Sequence, residues 1–298
     1  MTQPKSKYST YDIVQFQMFA CGDVEYPIDE CVHFVDSTVI SHMKNTVQNC
    51  LKSMKNRNAD KPEVYDLLIW YKNNPKLLKR MYDYFVLLNT NYSKLYANTE
   101  ENDESDDDVE TMTEDANISN SLANNIISAV EKFEDGEKMK KFLLDPEFVD
   151  QTKCMRNQRI AERAKSMSTE KYKRFSLARS YSFVRSKGNF SQEYLQGSYS
   201  FVRSKGNFSQ EYLQGFRSSI DAPESFDRDL LNLLNFCALE MLYVLIERAD
   251  KIRRAELGNM ATNTKFGAIQ LEHYQAAAAP VGKKSSVTSP PAKKRRKQ

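Results

Sequence analysis

The stretch IDECVHFVDSTVISHMKNTVQNCLKSM, residues 28–54, decides the fold. Its apolar residues recur in steps of three and four, which places them on one side of a helix of roughly seven turns. They are Ile28, Val32, Val35, Val39, Met43, Val47, Cys50 and Met54. A single helix cannot bury a stripe this long, so the sequence predicts a long amphipathic helix that needs a partner.

A second stretch of the same kind occupies residues 226–257. Its stripe consists of Leu230, Leu234, Cys237, Ala238, Met241, Leu245, Ala249 and Ile252. Each helix is at least twice the mean globular length of about 11–12 residues. We predict that the two helices cover each other. The pairing residues are Val32, Val35, Val39, Met43 and Val47 on the first helix and Leu234, Met241 and Leu245 on the second.

Shorter helices flank the first long one. Tyr11–Ala20 is apolar and precedes it, while Pro62–Asn73 and Pro75–Leu88 follow it. Asp60 and Glu63 have the spacing of a capping box at the start of Pro62–Asn73. A short helix, a long helix, a short helix and an extra helix are the order of a histone fold, whose open unit closes its core only in a pair.

The second half repeats this order more sparsely, with Gln270–Ala279 as its last helix. The predicted fold is therefore all-α, with two histone-fold halves paired intramolecularly and joined by a long, partly disordered linker. The predicted divisions are a histone-fold domain at 8–92, an acidic linker at 93–155, a basic helical segment with the second half at 156–279, and a disordered basic tail at 280–298.

The linker is predicted from its composition. Ten of the sixteen residues from Glu100 to Asp115 are acidic and none forms a periodic apolar face, which favours disorder. A further helix is expected at Ser119–Lys141. Arg156–Arg179 is basic and helical in pattern, with charges on all sides.

An eighteen-residue sequence, SYSFVRSKGNFSQEYLQG, occurs at 180–197 and again at 198–215. Solenoid repeats diverge and need at least three units to bury a core. We therefore expect one copy to be packed and the other to form an extruded loop, which costs little entropy.

Charge is divided unevenly along the chain. Residues 1–149 hold 16 Lys+Arg and 26 Asp+Glu, a net charge of −10, and residues 150–298 hold 27 and 14, a net charge of +13. This division suits either two halves that attract each other or contacts with charged partners. The five cysteines are scattered without a CxxC pair, which indicates neither a zinc ribbon nor a disulfide framework. The apolar stretch 230–246 is interrupted by polar residues and is too short for a membrane span.

Catalytic and metal-binding motifs are absent from the sequence. His33, His42 and His273 have no ligand-spaced neighbours, and no phosphate-binding glycine loop or nucleophile elbow occurs. The sequence predicts a protein that is not an enzyme and has no cofactor or metal.

Several stretches resemble a known family once they are taken in order. QMFACGDVEYP and DLLIWYKNNP are similar to the small TBP-associated factors of TFIID. The chain resembles more closely the histone-fold subunit of the SAGA complex of the Spt-three kind, which carries both histone halves in one chain. The further stretches that carry this resemblance are RAKSMSTEKYKRFSLARSYSFVRS, LLNFCALEMLYVLIERADKI and GAIQLEHYQAA.

The resemblance implies a nuclear subunit of a SAGA-type coactivator that binds TBP and other histone-fold subunits and promotes initiation by RNA polymerase II. One alternative is a TFIID subunit that heterodimerises with another histone-fold chain. A histone-like protein that binds chromatin and DNA is a third possibility. Direct DNA binding is disfavoured because the first half is net acidic.

Two charged features are candidate contacts. Glu240 interrupts the apolar second helix, so it either faces solvent or lies on an outer surface where it receives a basic partner such as TBP. On the second interpretation, Glu240→Lys weakens TBP association without unfolding the chain. The cluster Lys293, Lys294, Arg295, Arg296 and Lys297 is typical of a nuclear localisation signal.

Overall fold

The computed structural model describes residues 8–97, 122–184, 210–257 and 267–279, and within these ranges the chain is helical without β-strands. The N-terminal unit has the predicted order. It consists of α1 (Thr10–Cys21), α2 (Asp29–Asn56), α3 (Val64–Leu68) with a 3-10 turn (Ile69–Tyr71), and α4 (Pro75–Ala97).

The start of α3 differs from the prediction. Its N-cap is Glu63, and the capping box pairs Glu63 with Asp66 rather than with Asp60. The Glu63 N–H donates to Asp66 Oδ2 at 2.9 Å. Asp66 is available for this role because Arg57, at the end of α2, holds its carboxylate in place.

Four helices follow in the middle of the chain. They are α5 (residues 122–131), α6 (Gly136–Leu143), α7 (Gln151–Lys165) and α8 (Thr169–Ala178). The predicted single helix Ser119–Lys141 is thus two helices where the structure describes it. A Cβ at Gly136 would overlap the carbonyl of Glu131, so glycine allows the close turn between them.

The middle helices are part of the packed molecule. Leu122, Ile126, Val130 and Leu143 are buried in the main core, and α6 contacts α4. A largely disordered linker across 93–155 is therefore wrong for residues 122–155, and also for residues 93–97, which continue α4. The acidic stretch Glu100–Asp115, by contrast, lies outside the described residues.

The basic segment also differs from its prediction. Arg156–Arg179 falls on two helices, α7 and α8, which are capped separately by Asp150 and Ser168. Charge does not cover every side, since Phe175 and Ala178 of α8 are buried with Phe19 and Ala20 of α1 in a second, smaller core.

The last part of the chain contains α9 (Gln210–Ser219), α10 (Arg228–Leu257) and α11 (Leu271–Ala278). This is the predicted short, long, short order. The last helix packs on both α10 and α2, so it closes over the long helices. One continuous core includes residues of α2 and α10, so the segments 8–92 and 156–279 do not have separate interiors.

The tandem repeat is used in a way that the sequence did not predict. The packed parts are the beginning of the first copy, where Phe183 and Val184 are buried, and the end of the second copy, which enters α9. The rings of Phe183 and Phe216 stack at 5.3 Å. Residues 185–209 lie outside the described residues, so an extruded loop remains a prediction.

Candidate functional site at the contact of the long helices

The two long helices lie against each other. Val32, Val35, Val39, Met43 and Val47 of α2 are all fully buried. On α10, Leu234 is fully buried, Leu245 is nearly so, and Met241 is half-buried against the same core. The apolar stripes read from the sequence thus meet within one chain, and α11 covers a further part of α2.

Asp23 fastens α11 to the loop between α1 and α2. The Ile269 N–H donates to Asp23 Oδ1 at 3.0 Å, and the Tyr274 hydroxyl donates to Oδ2 at 2.8 Å. Asp23 is 2% exposed. Burial raises the pKa of this carboxyl above its ordinary value, although the hydrogen bonds that it accepts oppose the change.

A second buried carboxylate joins the end of α2 to α3. Asp66 accepts hydrogen bonds from Arg57 Nη2 at 2.6 Å and from the Ser53 hydroxyl at 2.8 Å. Burial alone would raise the pKa of Asp66, but the hydrogen bonds from Arg57, Glu63 and Ser53 hold it below its ordinary value. This pair fixes the loop that follows α2.

Glu240 lies at the centre of an ionic network. One of its oxygens accepts from Arg156 Nη1 of α7 at 2.7 Å, and the other accepts from Arg80 Nη1 of α4 at 3.0 Å. Arg156 Nε also donates to Glu247 of α10 at 2.9 Å. The whole network, called the ionic network below, consists of Arg80, Asp150, Arg156, Arg159, Glu240 and Glu247.

The placement of Glu240 corrects its sequence-based interpretation. Its side chain is only 13% exposed and is held by two arginines of the same chain. It therefore neither faces solvent nor projects from an outer surface. The predicted exposure of Glu240 is therefore wrong. Its predicted contact with TBP, which assumed that exposure, stays a prediction.

Arginines of the basic segment are used inside the molecule. Burial lowers the pKa of Arg163, whose guanidinium donates to the carbonyls of Phe19 and Asp23 at 2.9 Å each. It thereby satisfies one carbonyl in the last turn of α1, as cations do at helix ends, and one in the loop that follows. For Arg156, burial would lower the pKa, but the carboxylates of Glu240 and Glu247 raise it.

The remaining predicted sites can be placed briefly. The cluster Lys293–Lys297 lies outside the described residues. Among the residues that are described, no group of three His, Cys, Asp or Glu side chains is placed to hold a metal ion. Within the same ranges, α10 is the one helix long and apolar enough to cross a membrane by length and composition. Yet 67% of its most apolar window is buried inside the chain.

Sequence reasoning missed Asp23, Arg156 and Arg163. Asp23 follows Gly22, and nothing near it in the sequence signals a buried acceptor. The two arginines belong to the basic segment 156–179, whose many charges gave no indication of which side chains make contacts inside the molecule. The N-cap aspartate and the basic last turn of α7 signal the helix that carries Arg156, but they do not signal its ion pairs.

Comparison with known proteins supports the N-terminal part of this description. Residues 7–101 match the family model described as "Transcription initiation factor IID, 18kD subunit". The match spans α1 to α4, about a third of the chain, and identifies a histone-fold domain of this type in the N-terminal half. No curated protein matches the chain.

Proposed function

We propose that this chain is a non-enzymatic nuclear subunit of a SAGA-type transcription coactivator, in which it binds TBP and neighbouring subunits. The N-terminal domain supports a role in transcription initiation, because its family model is that of a TFIID subunit. The observation that carries the proposal further is the cover on α2, whose apolar stripe packs against α10 and α11 of the same chain. A histone-fold domain whose long helix is covered within its own chain does not need a second histone-fold chain to close its core.

The mechanism would be binding complementarity. Burial of both stripes in one core gives a rigid body, and its charged surface then selects partners. The N-terminal half carries a net charge of −10, which complements the strongly basic surface of TBP. Delivery of TBP to promoters for RNA polymerase II would follow from holding TBP beside the other subunits.

A TFIID subunit is the second candidate, and the family model that matches residues 7–101 favours it. Such a subunit would need a separate histone-fold chain to cover α2. Light scattering on the purified full chain separates the two candidates. A stable monomer supports the SAGA-type subunit, and a chain that is soluble only with a second histone-fold protein supports the TFIID subunit.

Affinity purification tests the proposed complex. The tagged full chain, expressed at its natural level, should recover TBP together with an acetyltransferase module, identified by mass spectrometry. Recovery of TFIID subunits without an acetyltransferase module would contradict the proposal.

A variant that lacks residues 293–298 tests the predicted nuclear localisation signal. As a fluorescent fusion it should become partly cytoplasmic, whereas unchanged nuclear enrichment would reject the localisation signal.

DNA binding through a histone-like surface is the third candidate. It requires basic residues free to meet phosphates. Arg156 and Arg163 of the basic segment are instead bonded within the chain, and Arg174 pairs with Glu25. We expect no shift of duplex DNA by the purified chain at physiological salt, and a clear shift there would favour this candidate.

A further inference from the structure

The ionic network joins three parts of the chain that are distant in sequence. Arg80 comes from α4 in the N-terminal domain, Arg156 and Arg159 come from α7, and Glu240 and Glu247 come from α10. Glu240 and Glu247 are seven residues apart, so they lie two turns apart on one side of the helix. This side faces α4 and α7.

Charge is complementary across the contact. Three arginines and Asp150 stand on one side with a net charge of +2, and the two carboxylates of α10 stand on the other with a net charge of −2. The side chains of Arg80, Asp150, Arg156, Glu240 and Glu247 are between 8% and 17% exposed. At such burial an unmatched charge is costly, because the group left behind has neither water nor a partner.

The rest of the contact between α2 and α10 is apolar and therefore discriminates only weakly between one covering helix and another. The stripe of α2 consists of valine, methionine and cysteine, and hydrophobic burial has no direction. Another long amphipathic helix could cover that stripe. A helix without carboxylates at the two positions would, however, leave Arg80 and Arg156 facing each other in a dry contact.

We propose that the ionic network determines which helix pairs with the N-terminal domain and α7. Arg80 and Arg156 bind two carboxylates that are seven residues apart on the helix that covers α2. Glu240 and Glu247 of α10 supply these carboxylates from the same chain. The network thereby selects pairing within the chain over pairing with a foreign histone-fold helix that lacks this spacing. This inference rests on the intramolecular contact and does not depend on membership of any complex.

Charge reversal in the full chain tests the proposal. The α10 variant carries Glu240→Arg and Glu247→Arg, the facing variant carries Arg80→Glu and Arg156→Glu, and the combined variant carries all four changes. A control variant carries Lys132→Glu and Lys140→Glu. These lysines pair with Glu63 and Glu131, which belong to the same side of the contact, and not with α10.

The two single-face variants should each lose the stable monomer, with a fall in Tm of about 10 °C or more. The combined variant should regain the monomer and at least half of the lost Tm. Its recovery stays incomplete because Asp150 and Arg159 keep their charges. The control should remain monomeric and melt within a few degrees of the natural chain.

Co-expression of the two single-face variants under different tags tests selection between chains. Each variant offers the other a matching face, so they should form a 1:1 complex in which the α10 segments are exchanged. The connection 185–209 has 25 residues and, since extended chain spans about 3.3–3.6 Å per residue, a maximum reach of roughly 80–90 Å for this exchange. Failure of the pair to combine would overturn the proposal, as would a combined variant no more stable than either single-face variant. A purification that fails to recover TBP would bear on the proposed function alone.

Discussion

Two buried carboxylates, those of Asp23 and Asp66, tie helices together, and their pKa values are shifted in opposite directions. The pKa of Asp23 is raised, so the charged form of this carboxyl is disfavoured in the folded chain. Its contribution to the free energy of unfolding therefore falls as the pH rises from the ordinary aspartate pKa through the raised pKa of the folded chain. The pKa of Asp66 is lowered, so its charged form is favoured and its contribution is lost on acidification. The difference arises because Asp66 faces a guanidinium, whereas Asp23 accepts chiefly from neutral groups.

The Asp66 pair gives a pH-dependent prediction. Asp66→Asn should lower the free energy of unfolding by roughly 2 kcal/mol at pH 7, because the buried acceptor of Arg57 loses its charge. The folded pKa lies below 3.8, so this contribution is fully present above that pH and disappears as the pH falls through the folded pKa. Denaturant titrations at several pH values measure it. The exposed Asp60→Asn serves as the control, and a deficit for Asp66→Asn that grew on acidification would contradict the assignment.

Glu240 gives a prediction opposite to the one from sequence. Glu240→Lys places a third cation between Arg80 and Arg156, and we expect it to destabilise the chain by about 3 to 5 kcal/mol. Glu240→Gln, which keeps the shape without the charge, should cost less. Thermal melting of both variants decides the matter, since a lysine variant that melts like the natural chain would mean that the carboxylate is not held internally.

At the scale of elements, the choice between the two repeat copies follows from what comes after them. Gln210–Gly215 of the second copy continues into Phe216 and Ile220, which are both buried, whereas the matching residues of the first copy continue into SYSF. The flanking sequence therefore decides which copy forms α9. The copies themselves are identical and cannot decide it.

This assignment predicts different outcomes for one substitution made in the two copies. A Cβ at Gly215 would overlap the ring of Tyr8, so Gly215→Ala should destabilise the chain by about 1 to 3 kcal/mol. Gly197→Ala changes the equivalent residue of the first copy and should alter stability by less than about 0.5 kcal/mol. Chemical denaturation compares them directly. Equal losses, or a larger loss for Gly197→Ala, would show that the first copy forms the helix.

The helices themselves were largely predictable because their signals are local. Both long stripes, Pro27 before α2 and Pro75 at the start of α4 are visible in the sequence, and the observed bounds differ from the predicted ones by only a few residues for α1, α2, α10 and α11. The cap of α3 was missed because it depends on Arg57, which belongs to another element. The break before Gly136 was missed because it depends on a backbone approach that no periodicity reveals.

At the scale of the whole molecule, the connection between Val184 and Gln210 contains one repeat length more than the packed parts use. A variant that lacks residues 198–215 joins the same flanking segments through a single copy. Because loop closure depends weakly on length, we expect its free energy of unfolding to change by only about 1 kcal/mol. Calorimetry would measure this, and a collapse of the folded state would mean that both copies are structural.

The pairing of the halves was predictable, and its charged part was not. Two stripes of similar length, such as those through Val39 and Leu234, each need a partner, and the sequence predicted that they cover each other. The ionic network, in contrast, brings together Arg80, Arg156 and Glu240, whose separations in sequence carry no periodic signal. Composition showed an acidic front and a basic back, but it could not tell which charges are buried between them.

Zero-length carbodiimide cross-linking tests most directly whether the two halves pair within one chain. Lys44 of α2 lies 2.7 Å from Asp221, which precedes α10, and both side chains are accessible to the reagent. The monomeric fraction, with a mass of 34.5 kDa, should contain a Lys44–Asp221 cross-link detectable by mass spectrometry. A monomer without cross-links between residues 29–56 and 210–257, or with this link confined to larger species, would contradict intramolecular pairing.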